Sequence, residues 1–484
     1  MSRLCLVLNG RTNAENLAFL EQNKHWIDMA EVRADCLDPA EWAGLRDFSH
    51  STEIELILTL RMKRDGGYWE GSAQERVGFF KAALSGRWTW WDIEDDRRLP
   101  EIEAEWISRG GKLVVSFHDF TGVSALADRL RNAQGPASLV KAAVYPRSSK
   151  EFLRFLQETQ ALPPGQKVVL AMGPFGFSSR VLAEQLGSAW TYASPPGNVA
   201  APGQVDPATL DELYHFASIG SQTQLYGVIG NPIHHSKSPA IHNAGYEALG
   251  LDAVYLPFLV DDLEAFFQTA ALLNLRGFSV TLPFKQEIIR HLADTTPAVQ
   301  ASGACNTVWK DARGWHGDNT DAQGFLAPLK SIWGTNFSDK RVTVVGTGGA
   351  ARSVVWALRQ SGAVVLVLGR SPAKAEALAR EFGAEWGPLS PASLADISAH
   401  DDLIVQTTSL GMGEQEGINP LDWYEFTGNE IAYDIVYNPE KTAFLQAAES
   451  AGCRLVLGKD MLLHQAIGQF SRFVGQDFPE TLPF

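Results

Sequence analysis

Short apolar runs alternate with amphipathic stretches through the first half of the chain, and that rhythm restricts the fold more than any other feature. The runs lie at residues 4–8, 29–34, 56–61, 89–93, 113–117, 139–144, 168–172 and 190–193. Between them, stretches such as 14–24, 73–84, 123–131, 148–159 and 178–186 place apolar residues three and four apart, the spacing of one helical face, and 207–218 reads as a last helix. Runs that are apolar throughout suit strands covered on both faces, the condition of parallel strands joined by helical crossovers. Eight such units in roughly 200 residues predict an α/β fold that opens with a (β/α)8 TIM barrel. An open doubly wound sheet is the structural alternative.

The remaining length has to be accounted for as well. A chain of 484 residues suggests two to four domains. With 45% hydrophobic and 20% charged residues it has the composition of a globular protein, not of a disordered one. The formal charge of −15, from 41 Lys+Arg and 56 Asp+Glu, argues against a nucleic-acid binder, which needs a basic face. The cysteines Cys5, Cys36, Cys305 and Cys453 are far apart and form no CxxC pair, so they indicate neither a disulfide framework nor a zinc site. The opening Met1-Ser-Arg-Leu-Cys-Leu-Val-Leu reads as a strand, not a signal peptide. No stretch approaches a membrane span, and a cytoplasmic location is expected.

After a polar break, Gly220-Ser-Gln-Thr-Gln224, the alternation restarts. Its sharpest signal is Arg341-Val-Thr-Val-Val-Gly-Thr-Gly-Gly-Ala-Ala-Arg352, an apolar strand running through Gly346, Gly348, Gly349 and Ala350 into a helix. This is the dinucleotide fingerprint in its strand–turn–helix setting, with the pyrophosphate expected on the helix N-terminus. The next strand ends in Gly369-Arg370-Ser371 with no acid to bind a ribose 2′-hydroxyl. Arg370 and Lys374 are instead placed for a 2′-phosphate, so NADP is the expected cofactor.

Several motifs then occur in series: Gly230-Asn-Pro-Ile-His-His-Ser-Lys-Ser-Pro-Ala-Ile-His-Asn243, Val280-Thr-Leu-Pro-Phe-Lys285, Gly303-Ala-Cys-Asn-Thr307, Gly317-Asp-Asn-Thr-Asp321, Tyr433-Asp-Ile-Val-Tyr437 and Gly458-Lys-Asp-Met-Leu-Leu-His-Gln465. Over 225–484 the chain resembles the shikimate dehydrogenases. The resemblance implies that Lys285 and Asp321 act at the reacting oxygen and that Ser236 and Ser238 hold the substrate carboxylate. It also implies that Thr281, Asn306, Tyr437 and Gln465 complete the pocket, while Ile435, Gly458 and Met461 line the nicotinamide. The family's usual Asn-Ala-Thr-Ser is Gln406-Thr-Thr-Ser409 here. Adjacent His234 and His235 chelate poorly from a loop, and no metal is expected.

The strand ends of the first half are unusually charged. Glu31, Arg33 and Asp35 alternate, Arg61 closes the third run, His118 the fifth, and Lys141 interrupts the sixth. A lysine in such a strand either snorkels outward between helices or is a buried amine whose desolvation favours the neutral form that a Schiff-base nucleophile needs. Glu31-Val-Arg33, Thr59-Leu-Arg61, Phe117-His118-Asp119, Val140-Lys141, Ser179-Arg180 and Ala201-Pro-Gly-Gln204 are similar to type I 3-dehydroquinate dehydratases over 1–216. By that resemblance Lys141 forms an imine with the substrate ketone and His118 moves the proton. Glu31, Arg33, Arg61, Arg180 and Gln204 would hold the substrate, with arginine charge opposing protonation of Lys141. The family's glutamate orienting the histidine is Asp65 here, and its serine before Ala-Pro-Gly-Gln is Ala200.

The two resemblances join, because the first reaction's product, 3-dehydroshikimate, is what the second reduces to shikimate. The expected domains are a dehydratase barrel over 1–220, a substrate-binding lobe over 221–330 to which helix 462–484 returns, and a Rossmann NADP-binding lobe over 331–461. The competing readings are a degenerate barrel serving as scaffold or metabolite-binding module, and a dehydrogenase preferring quinate or NAD.

Overall fold

Period-two alternation decides which way each barrel residue points. In the computed structural model, which describes residues 2–135, 138–479 and 482, the first eight strands are β1 (Arg3–Leu8), β2 (Met29–Arg33), β3 (Glu55–Thr59), β4 (Trp90–Glu94), β5 (Lys112–Asp119), β6 (Ser138–Val144), β7 (Lys167–Ala171) and β8 (Trp190–Ala193). All neighbours pair in parallel in the order β7-β6-β5-β4-β3-β2-β1-β8. The ring is completed by a single bridge, Lys167 to Ser188, with Ala189 N–H donating to the Lys167 carbonyl at 2.8 Å. This is the (β/α)8 barrel and not the open sheet.

Around it run α1 (Asn13–Asn23), α2 (Leu45–His50), α3 (Ala73–Ala83), α4 (Pro100–Ser108), α5 (Leu126–Asn132), α6 (Ser149–Glu158) and α7 (Gly173–Val181). Helix starts follow local chemistry: Thr12, Ser72 and Ser148 each accept a hydrogen bond from the backbone N–H three residues on. Outward residues such as Val140, Ala142 and Val144 pack under α5 and α6 with Phe152 and Phe155, and Trp91 stacks on Trp106 of α4 at 4.3 Å. Inward residues form layers. The lowest is apolar, with Cys5, Met29, Ile57, Trp90, Val114, Val168 and Trp190 in one core.

The expected last helix, 207–218, is not an α-helix. The segment forms a π-helical turn, Thr209–Leu213, then a 3-10 turn, Phe216–Ser218, with His215 at φ 51° between them. Expected helix 178–186 likewise begins earlier, at Gly173, because Pro174 is at home in a first turn.

The chain forms two compact units, Met1–Leu275 and Arg276–Phe484. The first contains, beyond the barrel, β9 (Gln224–Gly230), α8 (Ser238–Ala248), β10 (Ala253–Leu259) and α9 (Leu263–Leu272), with β9 and β10 parallel. This segment is fastened to the barrel. Ser149 and Asp261 exchange hydrogen bonds at 2.9 and 3.1 Å, Lys150 pairs with Asp262 at 2.8 Å, and Gln185 reaches the carbonyls of Gly220 and Thr223.

In the second unit β11 (Gly277–Val280), β12 (Asp294–Thr295), α10 (Pro297–Ser302), β13 (Thr307–Asp311) and β14 (Gly314–Asp318) precede α11 (Asp321–Trp333). A six-stranded parallel sheet follows: β15 (Arg341–Val345), β16 (Val364–Gly369), β17 (Glu385–Pro388), β18 (Leu403–Gln406), β19 (Ile431–Asp434) and β20 (Arg454–Val456). Its order, β17-β16-β15-β18-β19-β20, is that of a dinucleotide-binding fold. It is flanked by α12 (Gly349–Gln360), α13 (Pro372–Phe382), α14 (Leu394–Ser398), α15 (Ala443–Ser450) and α16 (Gly458–Val474). Among the described residues no helix is long and apolar enough to cross a membrane.

Candidate active sites

The inward alternation that gives the barrel an apolar floor places charge directly above it. Glu31, Asp92, Ser116, Lys141 and Tyr192 lie two residues beyond floor or wall positions on their strands, and Arg33, Glu94 and His118 two residues beyond those. Of these, Glu31, Arg33, His118, Lys141 and Tyr192 border a cavity of about 220 Å³ lined also by Arg61, Asp65, Arg180, Ala200 and Gln204. The structure therefore brings Glu31, Arg33, Arg61, Asp65, His118, Lys141, Arg180 and Gln204 to one place.

Lys141 is 5% exposed and points inward, so the snorkelling alternative is excluded. Its Nζ donates to Asp92 Oδ2 at 3.0 Å and Glu31 Oε1 at 3.3 Å. Glu31 also accepts from Thr59 at 2.6 Å. Arg61, 2% exposed, pairs with Asp92 at 2.7 Å and Glu94 at 3.1 Å, and Arg76 of α3 closes on Glu94 from behind. Burial alone would raise the Asp92 carboxyl, but Arg61 and Lys141 hold it well below the ordinary carboxylate range. The sequence sets arginine charge against Lys141 and gives Glu31 to the substrate; Glu31 and Asp92 in fact both adjoin the lysine. Asp92 and Glu94 were missed. Their signal was available: two acids alternating inside Trp90-Trp-Asp-Ile-Glu94 demand partners once the strand is buried.

Arg33 turns to Asp35, donating through Nε at 2.9 Å and Nη2 at 2.8 Å. Arg180 is different. It is 1% exposed, donates Nη2 to the Pro202 carbonyl at 3.0 Å, and among the described residues leaves Nε and Nη1 without a partner. Burial lowers it to about 10, so it still carries a full charge near neutrality. An unpaired buried guanidinium beside an open cavity is a socket for a carboxylate. Gln204 holds the covering loop, accepting from Ser194 and from Ala201 N–H at 2.9 Å. His118 is pushed well below its usual range by burial, then by Arg61 and Lys141, and among the described residues its Nδ1 has no partner. Asp65 borders the same cavity, but its carboxylate meets Arg64 at 3.3 Å.

Of the residues expected to perform reduction, Ser236 and Ser238 belong to the first unit and the others to the second. Ser238 opens α8, and its N–H donates to Ser236 Oγ at 3.3 Å. In the second unit Lys285 donates to Asp321 Oδ2 at 2.6 Å. Asn306 donates to Asp321 Oδ1 at 2.7 Å and to Gln465 Oε1 at 3.3 Å. The backbone fixes this cluster, because Cys305 N–H donates to the Lys285 carbonyl at 2.7 Å and Asp321 N–H to Asn319 Oδ1 at 3.0 Å. Lys285, Asn306, Asp321 and Gln465 thus form one network. Thr281 precedes it on the same loop, its carbonyl accepting from Phe284 N–H, and Tyr437 is 40% exposed.

The nucleotide loop fits a dinucleotide. A side chain on Gly346 would lie 2.4 Å from Thr407 Oγ1, whereas one on Gly348 or Gly349 would meet nothing within 4 Å. That open face lies at the start of α12, where no side chain caps the free first-turn amides around Ala350. Among the described residues neither Arg370 nor Lys374 is paired with a carboxylate, and both are exposed. Gln406, the departure in this lobe, is fully buried and ties its own loop, donating to the Thr408 and Leu410 carbonyls at 3.1 and 2.9 Å. Ile435 N–H donates to the Gln406 carbonyl, Gly458 lets α16 approach the Val436 carbonyl, and Met461 packs into the lobe's core.

Comparison with known proteins agrees with both halves. Residues 4–221 match the family model for type I 3-dehydroquinase, 228–308 the shikimate dehydrogenase substrate binding domain, and 329–411 shikimate / quinate 5-dehydrogenase. A bifunctional 3-dehydroquinate dehydratase/shikimate dehydrogenase, chloroplastic, from Arabidopsis thaliana is 29% identical over 481 residues, 94% of this chain and 79% of that protein. An NADP(+) shikimate dehydrogenase from Trichormus variabilis is 40% identical over 274 residues, 54% of this chain and 93% of that protein. Among solved structures, shikimate 5-dehydrogenase from Listeria monocytogenes in complex with shikimate and NAD is 32% identical with a TM-score of 0.51, covering 54% of this chain and 95% of its own.

Proposed function

The chain belongs to the shikimate dehydrogenase family, with a type I 3-dehydroquinase domain ahead of that part, and we propose that it catalyses two consecutive steps of the shikimate pathway. The first is dehydration of 3-dehydroquinate to 3-dehydroshikimate, and the second is NADPH-dependent reduction of 3-dehydroshikimate to shikimate. We assign the dehydratase to 1–220, the substrate lobe to 221–330 with the terminal helix, and the nucleotide lobe to 331–461, in a cytoplasmic protein.

In the barrel the observation that carries the reading is the unpartnered guanidinium of Arg180 in the same cavity as Lys141 and His118. Arg180 takes the substrate carboxylate, with Arg33 and Gln204 at its hydroxyls. Lys141 condenses with the ketone: the ammonium and the carbonyl give an iminium and one water, with no net change in protons or charge. The iminium draws electrons from the adjacent carbon. His118, neutral because of its burial, removes the proton there, leaving a neutral enamine and an imidazolium. That proton departs with the hydroxyl as water while the charge returns to nitrogen, and hydrolysis releases the enone and Lys141. Asp65, unbonded to His118, contributes less than a longer acid would. A cavity with its amine, base and carboxylate socket intact supports a working dehydratase over a scaffold.

In the second half Ser236 and Ser238 bind the carboxylate. Lys285 gives its proton to the ketone oxygen while Asp321, held by Asn306, keeps the ammonium in place and binds a hydroxyl. Thr281, Tyr437 and Gln465 complete the pocket. The hydride comes from NADPH, whose phosphates suit the α12 N-terminus and whose 2′-phosphate suits Arg370 and Lys374, with Ile435, Gly458 and Met461 at the nicotinamide.

Dehydroquinate plus NADPH should therefore yield shikimate with oxidation of the nicotinamide. Lys141→Ala should abolish this but leave reduction of supplied dehydroshikimate, and Lys285→Ala should abolish reduction but leave enone formation from dehydroquinate. Trapping with borohydride in the presence of dehydroquinate should label Lys141, and an unlabelled lysine overturns the imine reading. A higher kcat/KM with NADH than with NADPH overturns the cofactor assignment.

A further inference from the structure

Lys141 has a third neighbour besides its two carboxylates. The ring of Tyr192, from β8, lies with its centroid 4.2 Å from Nζ. Tyr192 is 1% exposed, borders the cavity, and packs in the floor with Cys5 and Trp190. Its backbone is paired to Cys5 of β1, and Trp190 is itself braced edge-on by Trp90 at 5.3 Å. The ring is thus a fixed, dry surface presented to the reacting nitrogen.

We propose that the π face of Tyr192 is a catalytic element of the dehydratase, holding the positive charge of Lys141 as it passes from ammonium to iminium. The inference rests on the imine chemistry proposed above. The ammonium has three N–H donors, two of them now on Asp92 and Glu31. Condensation sends two of its protons out with the carbonyl oxygen as water, and the iminium keeps one. At most one of the carboxylate hydrogen bonds can then persist. The ring loses nothing, because attraction of a cation to an aromatic face needs charge and not a proton, and it is largest where water is excluded. Charge leaves the nitrogen when His118 takes the carbon-bound proton and returns when hydroxide departs as water. The ring therefore favours both iminium states over the neutral species that flank them.

The test varies the ring and leaves the lysine alone. Tyr192→Leu should lower dehydratase kcat about tenfold or more, while Tyr192→Phe, which keeps the face, should lose less than about threefold. Phenylalanines carrying one, two and three ring fluorines, placed at position 192, should lower kcat stepwise, because fluorine withdraws the electron density that attracts a cation. Dehydrogenase activity of the same molecules reports folding. Tyr192→Leu within threefold of the parent, or a flat fluorine series, overturns the proposal. If Tyr192→Leu loses both activities, the fluorine series alone decides. Borohydride trapping separates the two levels: Lys141 labelled with a flat fluorine series defeats this inference only, whereas Lys141 unlabelled defeats the imine reading beneath it.

Discussion

At the scale of single residues, the barrel site is defined by which buried groups have partners and which do not. Arg180 is the cation left open, so Arg180→Gln should reduce dehydratase kcat/KM roughly 10- to 100-fold, the loss expected for hydrogen bonds to a charged partner. Steady-state kinetics with dehydroquinate checks this, and reduction of dehydroshikimate should be untouched. His118 is held neutral below its ordinary 6.5 by burial and neighbouring cations. The base is consequently already available in mildly acid solution, and the acid limb of dehydratase kcat/KM should fall below pH 6.5. The same depression has a stability sign. The unfolded chain binds this proton near 6.5 and the folded one does not, so stability from this group is complete above 6.5 and declines as pH falls below it. Glu31, Arg33, Arg61, His118 and Lys141 were legible because charges within or at the end of apolar strands are conspicuous, and Arg180 through the family resemblance. Asp92 and Glu94 were legible only as a pair, since each alone reads as an ordinary polar residue and the need for partners follows from their alternation inside a buried strand.

At the scale of elements, the eight barrel strands were legible to within a residue or two because each is a short, mostly apolar run between amphipathic stretches. The segment 207–218 was misread for a physical reason. Leu210, Leu213 and Phe216 repeat at helical spacing, yet Asp206 caps Thr209 N–H at 2.9 Å and His215 takes a left-handed conformation that no α-helix admits. Burial of Leu210, Tyr214 and Phe216 outweighs the lost regularity. A second element of interest is the turn after β19. Asp434 accepts from Val436 N–H at 2.9 Å and Thr442 Oγ1 at 2.6 Å, fixing the loop that carries Ile435 and Tyr437. Burial raises its carboxyl to about 6 from 3.8. Because the folded state holds this proton more tightly, stability rises as pH drops from about 6 toward 3.8 and is lowest above it. Asp434→Asn should therefore stabilise the fold at pH 8 by on the order of 1–3 kcal/mol, read as a higher melting temperature, and flatten the pH dependence between 4 and about 7. Thermal melts across that range decide it.

At the scale of the molecule, the first unit extends past the barrel to Leu275. The polar break at 220–224 therefore separates two folds without separating two rigid pieces, something composition could not reveal. The exchange of hydrogen bonds between Ser149 and Asp261 is one fastening. Ser149→Ala and Asp261→Ala each remove one of these two side-chain-to-backbone bonds, so each should destabilise the dehydratase to heat by about 0.5–1.5 kcal/mol. No loss in thermal inactivation from either substitution would show that the fastening carries no weight. The charge lattice around Lys141 has a wider consequence. Lys141, Arg61 and Arg76 stand against Glu31, Asp92 and Glu94, three buried charges of each sign. Loss of any one leaves a buried charge uncompensated, a fault worth about 3–5 kcal/mol. A lineage carrying this barrel cannot wander through that lattice one substitution at a time. It can change there only by exchanging a plus and a minus together, so the oldest part of its ancestry should be written in its least soluble charges.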